Sequence, residues 1–167
     1  MPTEKTPQAR RTRLTVLEHS VRTAIAAVTS FLAARLFRLP EAYWAPITTL
    51  VITQSSLGAA FAVSWKRFAG TAFGALVGGL VASYFPANVF LFGASVLILG
   101  LLCAQVGVDR SAYRFAGVTL SIVLLIPRGN PPWQVAFHRF AEVSIGIVIA
   151  LLFATLWPEG EDPPAGK

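Results

Sequence analysis

KRFAGTAFGALVGGLVASYFP, from Lys66 to Pro86, and HRFAEVSIGIVIALLFATLWP, from His138 to Pro158, begin and end alike and lie 72 residues apart. Aligned without gaps, they share Arg67/Arg139, Phe68/Phe140, Ala69/Ala141, Gly74/Gly146, Leu80/Leu152, Ala82/Ala154 and Pro86/Pro158. Some of these matches follow from shared membrane composition, and the stretches before them share little beyond Arg38/Arg110. Read as an internal duplication, the pair decides the fold. Each unit then holds three apolar segments, an odd number of crossings, so the second unit sits upside down relative to the first. Inverted repeats of this kind build secondary transporters, with substrate bound where the repeats meet.

The composition around the pair points the same way. The chain has 167 residues, 54% hydrophobic and 13% charged, against about 25% charged in a soluble domain. Six apolar segments are expected to span a bilayer as helices: residues 17–37, 43–63, 68–85, 89–108, 113–126 and 139–157. Each approaches the roughly 20 residues that a bilayer core requires, and helices satisfy their own backbone in lipid. The expected fold is therefore all-α, a polytopic membrane protein of six transmembrane helices arranged as a 3+3 inverted repeat. Residues 1–13 read as a disordered basic cytoplasmic arm, 14–158 as the six-helix membrane domain and 159–167 as a disordered cytoplasmic tail. The polar, basic start argues against a cleaved signal peptide.

Charge sets the expected orientation. With the N-terminus in the cytoplasm and six crossings, Lys5, Arg10, Arg11, Arg13, Arg22, Lys66, Arg67, Arg110, Arg114 and Lys167 fall inside. Arg35, Arg38, Arg128 and Arg139 fall outside. Ten cations against four satisfies the positive-inside rule, with both termini cytoplasmic. The net charge of +6 does not point to nucleic acid, because no basic face with interleaved aromatics occurs. Tyr43, Trp44, Trp65, Trp133 and Trp157 sit at segment ends, as in an aromatic belt.

Several residues at membrane depth carry chemistry. Ionisable groups there tend to face a cavity or a partner. Glu142 stands where the first repeat has Gly70, and Arg139 lies three residues before it on the same helical face. The two form an interfacial ion pair, or Glu142 is a proton-binding carboxylate or gate. Thr49, Thr53 and Gln54 lie on or beside one stripe of the second segment, lining a path or bonding back to their own helix. Arg22, four residues after Glu18, forms a helix-stabilising pair. Arg67 and Arg139 are expected to cap the twin helices from opposite sides, snorkelling to headgroups or forming two electropositive vestibules. Gly70, Gly74, Gly78 and Gly146 form small-residue ridges for close packing, with the third and sixth helices crossing on them. The lone Cys103 reads as a small buried hydrophobe. No metal-ligand spacing, phosphate-binding loop or nucleophile–base pair occurs, so no cofactor and no enzyme is expected.

YWAPITTLVITQSSLGAAFAVSWKRFAGTAFGALVGG, residues 43–79, resembles the fusaric acid resistance and aromatic acid exporter family. The likeness rests on Tyr43, Trp44, Arg67, Gly70 and Gly74. The R-x-x-E-x-x-x-G pattern of Arg139, Glu142 and Gly146 resembles that family's last membrane helix. The resemblance extends over about residues 18–157. It implies a bacterial inner-membrane protein exporting aromatic carboxylic acids, distantly similar to plant malate channels, which are dimers with an arginine-lined anion path. Arg22, Arg67 and Arg139 would then be anion contacts. Many members carry two membrane halves or a cytoplasmic domain, so a single six-helix unit is expected to self-associate, as a dimer, in membrane lipid. The alternatives are a passive anion channel and a non-transporting scaffold.

Overall fold

The structure, a computed structural model, describes residues 7–53, 56–86, 88–107, 109–126 and 129–157, with side chains from residue 16 onward. The described residues form six helices: α1 (Pro7–Leu36), α2 (Trp44–Ile52), α3 (Leu57–Tyr84), α4 (Val89–Gln105), α5 (Arg110–Leu125) and α6 (Pro132–Leu156). No strand occurs among them.

Two boundaries differ from expectation. The expected second span, 43–63, is not one helix. α2 has nine residues, a length of about 14 Å. The chain breaks after it, where Thr53 Oγ1 donates back to the Thr49 carbonyl at 2.8 Å. Ser56 then caps α3 by accepting from the Ala59 N–H at 3.3 Å. A serine ahead of an apolar run is a helix start signal. In TTLVITQSS the polar residues thus end one helix and open the next. Conversely, the loop expected at 62–67 lies inside α3, which runs unbroken for 28 residues.

The other helices shift by smaller amounts. α6 begins at Pro132, where a first-turn proline has no N–H to lose. α1 begins at Pro7, inside the segment expected to be a disordered arm. The expected tail, 159–167, lies outside the described residues. Of the described helices, α6 is the one with both the length and the hydropathy to cross a membrane by itself, and the apolar α4 has 17 residues.

α3 and α6 form the centre and run antiparallel. Phe68 meets Phe140 with ring centroids 5.1 Å apart, while Gly79 lies against Trp133 and Ala136. α5 packs on α3 and α2 packs on α6, each running parallel to its partner. Gly70, Gly74 and Gly78 face Ala112, Ala116 and Val123 in turn. The small-residue ridge of α3 therefore receives α5, not α6 as expected. Gly146 of α6 receives α2, where an added Cβ would stand 2.5 Å from the Ala45 carbonyl oxygen. α1 packs on α2 and α6, and α4 on α5 and α3. Lys66 pairs with Asp109 at 2.6 Å, joining α3 to the α4–α5 turn and holding the Asp109 carboxyl below the usual carboxylate range.

The distribution of polarity is reversed relative to a protein in water. Arg67, Arg139 and Glu142 are buried together with Thr48, Thr49, Thr71 and Thr119. Phe90, Leu36, Leu156 and Val89 are among the most exposed large side chains. Large apolar residues outward and charges inward is the arrangement that a hydrocarbon surround favours.

Candidate functional site

The site is built around α6. Arg139 and Glu142, one turn apart, are 2% and 1% exposed, with Nη1 and Oε2 at 3.5 Å. Glu142 Oε1 accepts from the Glu41 backbone N–H at 3.0 Å, across the α1–α2 turn. The Glu41 carboxylate in turn accepts from Trp44 Nε1 at 3.1 Å. Trp44 is thereby fixed with its ring against Arg139, whose Cζ lies 3.3 Å from the ring centroid. A guanidinium held on an indole face away from water gains about 2 kcal/mol. Trp44, expected in an interfacial belt, is instead turned inward beneath a cation.

Arg67 arrives from α3. Its Nε donates to Thr48 Oγ1 at 3.2 Å, and its Cζ lies 4.9 Å from the Phe115 centroid. Thr48 is one turn beyond Trp44 on α2. Arg67 and Arg139 therefore do not cap opposite ends of the bundle, as expected, but meet successive turns of one short helix. The cause is the continuity of α3, which places Arg67 inside the helix, and the antiparallel crossing of α3 and α6 one residue away, at Phe68/Phe140.

The remaining expected residues divide. Thr49 Oγ1 lies 3.1 Å from both the Ala45 carbonyl of its own helix and the Gly146 carbonyl, sharing its one hydrogen between them at the glycine contact of α2 and α6. Thr53 bonds back within its own helix, and Gln54 lies outside the described residues. Arg22 is remote from the cluster. Its Nη1 donates to the Trp157 carbonyl at 2.7 Å, while Glu18 Oε1 accepts from Trp157 Nε1 at 2.9 Å. Both residues fasten the last turn of α6 to α1, about 27 Å along α6 from Arg139. Sequence reasoning missed Glu41, Thr48 and Phe115. Thr48 stands one turn from Trp44, and Phe115 is an aromatic on an otherwise small-residue face of α5.

The group has two guanidiniums and two carboxylates, formally neutral. Protonating Glu142 would release Arg139 from its ion pair and leave one positive charge in excess, in surroundings of low polarity.

Residues 25–153 match the family model described as fusaric acid resistance protein-like. The chain belongs to that family. It is 29% identical over 146 residues to the inner membrane protein YeeA of Escherichia coli (strain K12), covering 84% of this chain and 41% of that protein. It is 27% identical over 165 residues to the uncharacterized transporter YdhK of the same strain, covering 93% of this chain and 24% of that protein. The chain thus spans less than half the length of the curated relatives it matches. No solved structure matches.

Proposed function

We propose that this member of the fusaric acid resistance-like family moves small organic anions, aromatic carboxylates foremost, outward across the bacterial inner membrane. One observation carries the reading: two buried guanidiniums meet successive turns of α2, one of them paired with an internal carboxylate. The internal carboxylate of Glu142 holds the place of a substrate carboxylate at Arg139. Protonation of Glu142 frees that place, so proton and anion bind together, and the anion moves outward when its own outward gradient exceeds the inward proton gradient. The rings of Trp44 and Phe115, covered by the two arginines, put aromatic surface at the cluster. Aromatic surface at the cations favours an aromatic body on the carboxylate. The relatives, one an inner membrane protein and the other an uncharacterized transporter, support the location and the role.

The packing also supports the 3+3 duplication. Exchanging α1 with α4, α2 with α5 and α3 with α6 leaves the set of packed helix pairs unchanged. Gly74 meets the Ala116 carbonyl as Gly146 meets the Ala45 carbonyl. Arg67 lies over Phe115 as Arg139 lies over Trp44. Because α3 and α6 are antiparallel, such a duplication is an inverted one. The six helices then form one transmembrane domain with both ends cytoplasmic, assembled as a dimer in lipid. Glu142, which has glycine as its counterpart, is where the two halves part in chemistry.

Equilibrium binding of a labelled hydroxybenzoate to the purified protein tests the site. Arg67→Gln and Arg139→Gln are each expected to weaken binding at least tenfold, and Arg22→Gln to leave it within twofold. Equal binding by all four proteins would refute the site.

A further inference from the structure

Three atoms of the Arg139–Glu142 pair find no hydrogen-bond partner among the described residues: Arg139 Nε, Arg139 Nη1 and Glu142 Oε2. Their side chains are 2% and 1% exposed. Buried polar atoms in this condition are destabilising, and proteins satisfy them with water wherever a cavity is polar and large enough. A cavity of about 40 Å³ adjoins the pair, lined further by Glu41, Asn130, Val135 and His138. On this measure a water needs about 10–15 Å³, so the space holds about three or four. Asn130, Val135 and His138 all precede Arg139 in the chain. The cavity therefore leads from Glu142 toward the N-terminal end of α6.

We infer that this cavity holds a short file of water joining Glu142 to one face of the membrane, the face at the N-terminal end of α6, with His138 at its mouth as proton relay. The inference rests on the reading of Glu142 as the proton-binding group. The imidazolium of His138 gives its proton to the first water. Successive O–H bonds form and break along the file, and the last water protonates Glu142 Oε2. His138, now neutral, takes the next proton from bulk water. Among the described residues, the charged and titratable groups that bear on Glu142 are Arg139 on its own helix, Glu41 from the α1–α2 turn and His138 at the cavity. Arg67 from α3 acts on Arg139. α2 contributes Trp44 and Thr48, neither of which titrates near neutrality.

Two measurements in proteoliposomes test this. The first does not depend on transport. Cys103 is the sole cysteine and is buried. With Cys103→Ser as background, Val135→Cys is exposed to a membrane-impermeant thiol reagent added on either side. Labelling at least tenfold faster from the α6 N-terminal side is expected. Failure to label from that side overturns the water file, whatever the transport data. The second measurement compares pH-gradient-driven accumulation of labelled hydroxybenzoate with its exchange at equal pH. Val135→Phe fills the cavity without altering a titratable group. It is expected to cut gradient-driven accumulation at least tenfold while exchange stays within twofold. His138→Gln, a near-isosteric change, is expected to cut the accumulation similarly. Intact accumulation in both variants overturns the relay. Efficient labelling with pH-insensitive transport in the unaltered protein instead refutes Glu142 as proton carrier, and the relay with it.

Discussion

Phe68 and Phe140, which occupy the same place in the two similar stretches, touch each other with ring centroids 5.1 Å apart. In an inverted duplication, equivalent residues meet only beside the axis that relates the halves. Arg67 and Arg139 immediately precede these phenylalanines, so the axis would pass beside the two buried guanidiniums. Phe68→Cys with Phe140→Cys, in a Cys103→Ser background, is expected to be joined by a short bifunctional thiol reagent. The joined protein should hold together after cleavage in the α4–α5 connection. Free separation of the two fragments would show that these helices do not cross here.

Gly74 and Gly146 each admit a neighbouring backbone carbonyl where a side chain would stand. Gly74→Ala and Gly146→Ala should each destabilise the protein by about 1–3 kcal/mol through overpacking. Gly58→Ala is the control, because nothing lies within 4 Å of its added Cβ. It should be neutral or gain up to about 1 kcal/mol of helix preference. Thermal unfolding in detergent, followed by tryptophan fluorescence, separates the two outcomes.

Arg139→Gln strands the Glu142 carboxylate, and removal of one partner of a buried pair costs about 3–5 kcal/mol. The double variant Arg139→Gln with Glu142→Gln removes both charges and should recover much of that loss. A double-mutant cycle on unfolding midpoints measures the coupling. Additive losses would mean that the two groups do not interact.

Arg22 is expected to bear on stability rather than on anion binding. Arg22→Ala loses a charged hydrogen bond to the Trp157 carbonyl, worth about 1.5–3 kcal/mol. The melting temperature should fall while anion affinity stays unchanged. A loss of affinity at full stability would place Arg22 on the transport path.

Much of the fold was legible because apolar length and charged ends are written directly in the chain. α4 begins at Val89 as expected, while α5 and α6 begin at Arg110 and Pro132, ahead of the expected 113 and 139, because Asp109 caps the one and Pro132 opens the other. The α2–α3 break was not read, because Thr53 and Ser56 serve equally as a polar stripe on one long helix or as an end and a cap. Once that break was missed, the loop was set at Lys66 and Arg67, whose charges suit a membrane boundary by composition alone. A loop there puts Arg67 at a helix end, whereas it lies inside α3 and meets Thr48 of α2. Arg139 and Glu142 were legible as a pair, since three-residue spacing on a helix brings them together whatever surrounds them. Their partners Glu41, Trp44 and Thr48 depend on the path of the α1–α2 turn, which only the packing of α2 on α6 decides.

The most direct test is flux of a labelled hydroxybenzoate in proteoliposomes holding only this protein, with and without a pH gradient, against protein-free vesicles. Accumulation on the alkaline side beyond the protein-free level is expected, abolished by Arg139→Gln and made insensitive to pH by Glu142→Gln. Flux with the same pH dependence in Glu142→Gln, or no flux above protein-free vesicles, would contradict anion transport at the Arg67–Arg139–Glu142 cluster.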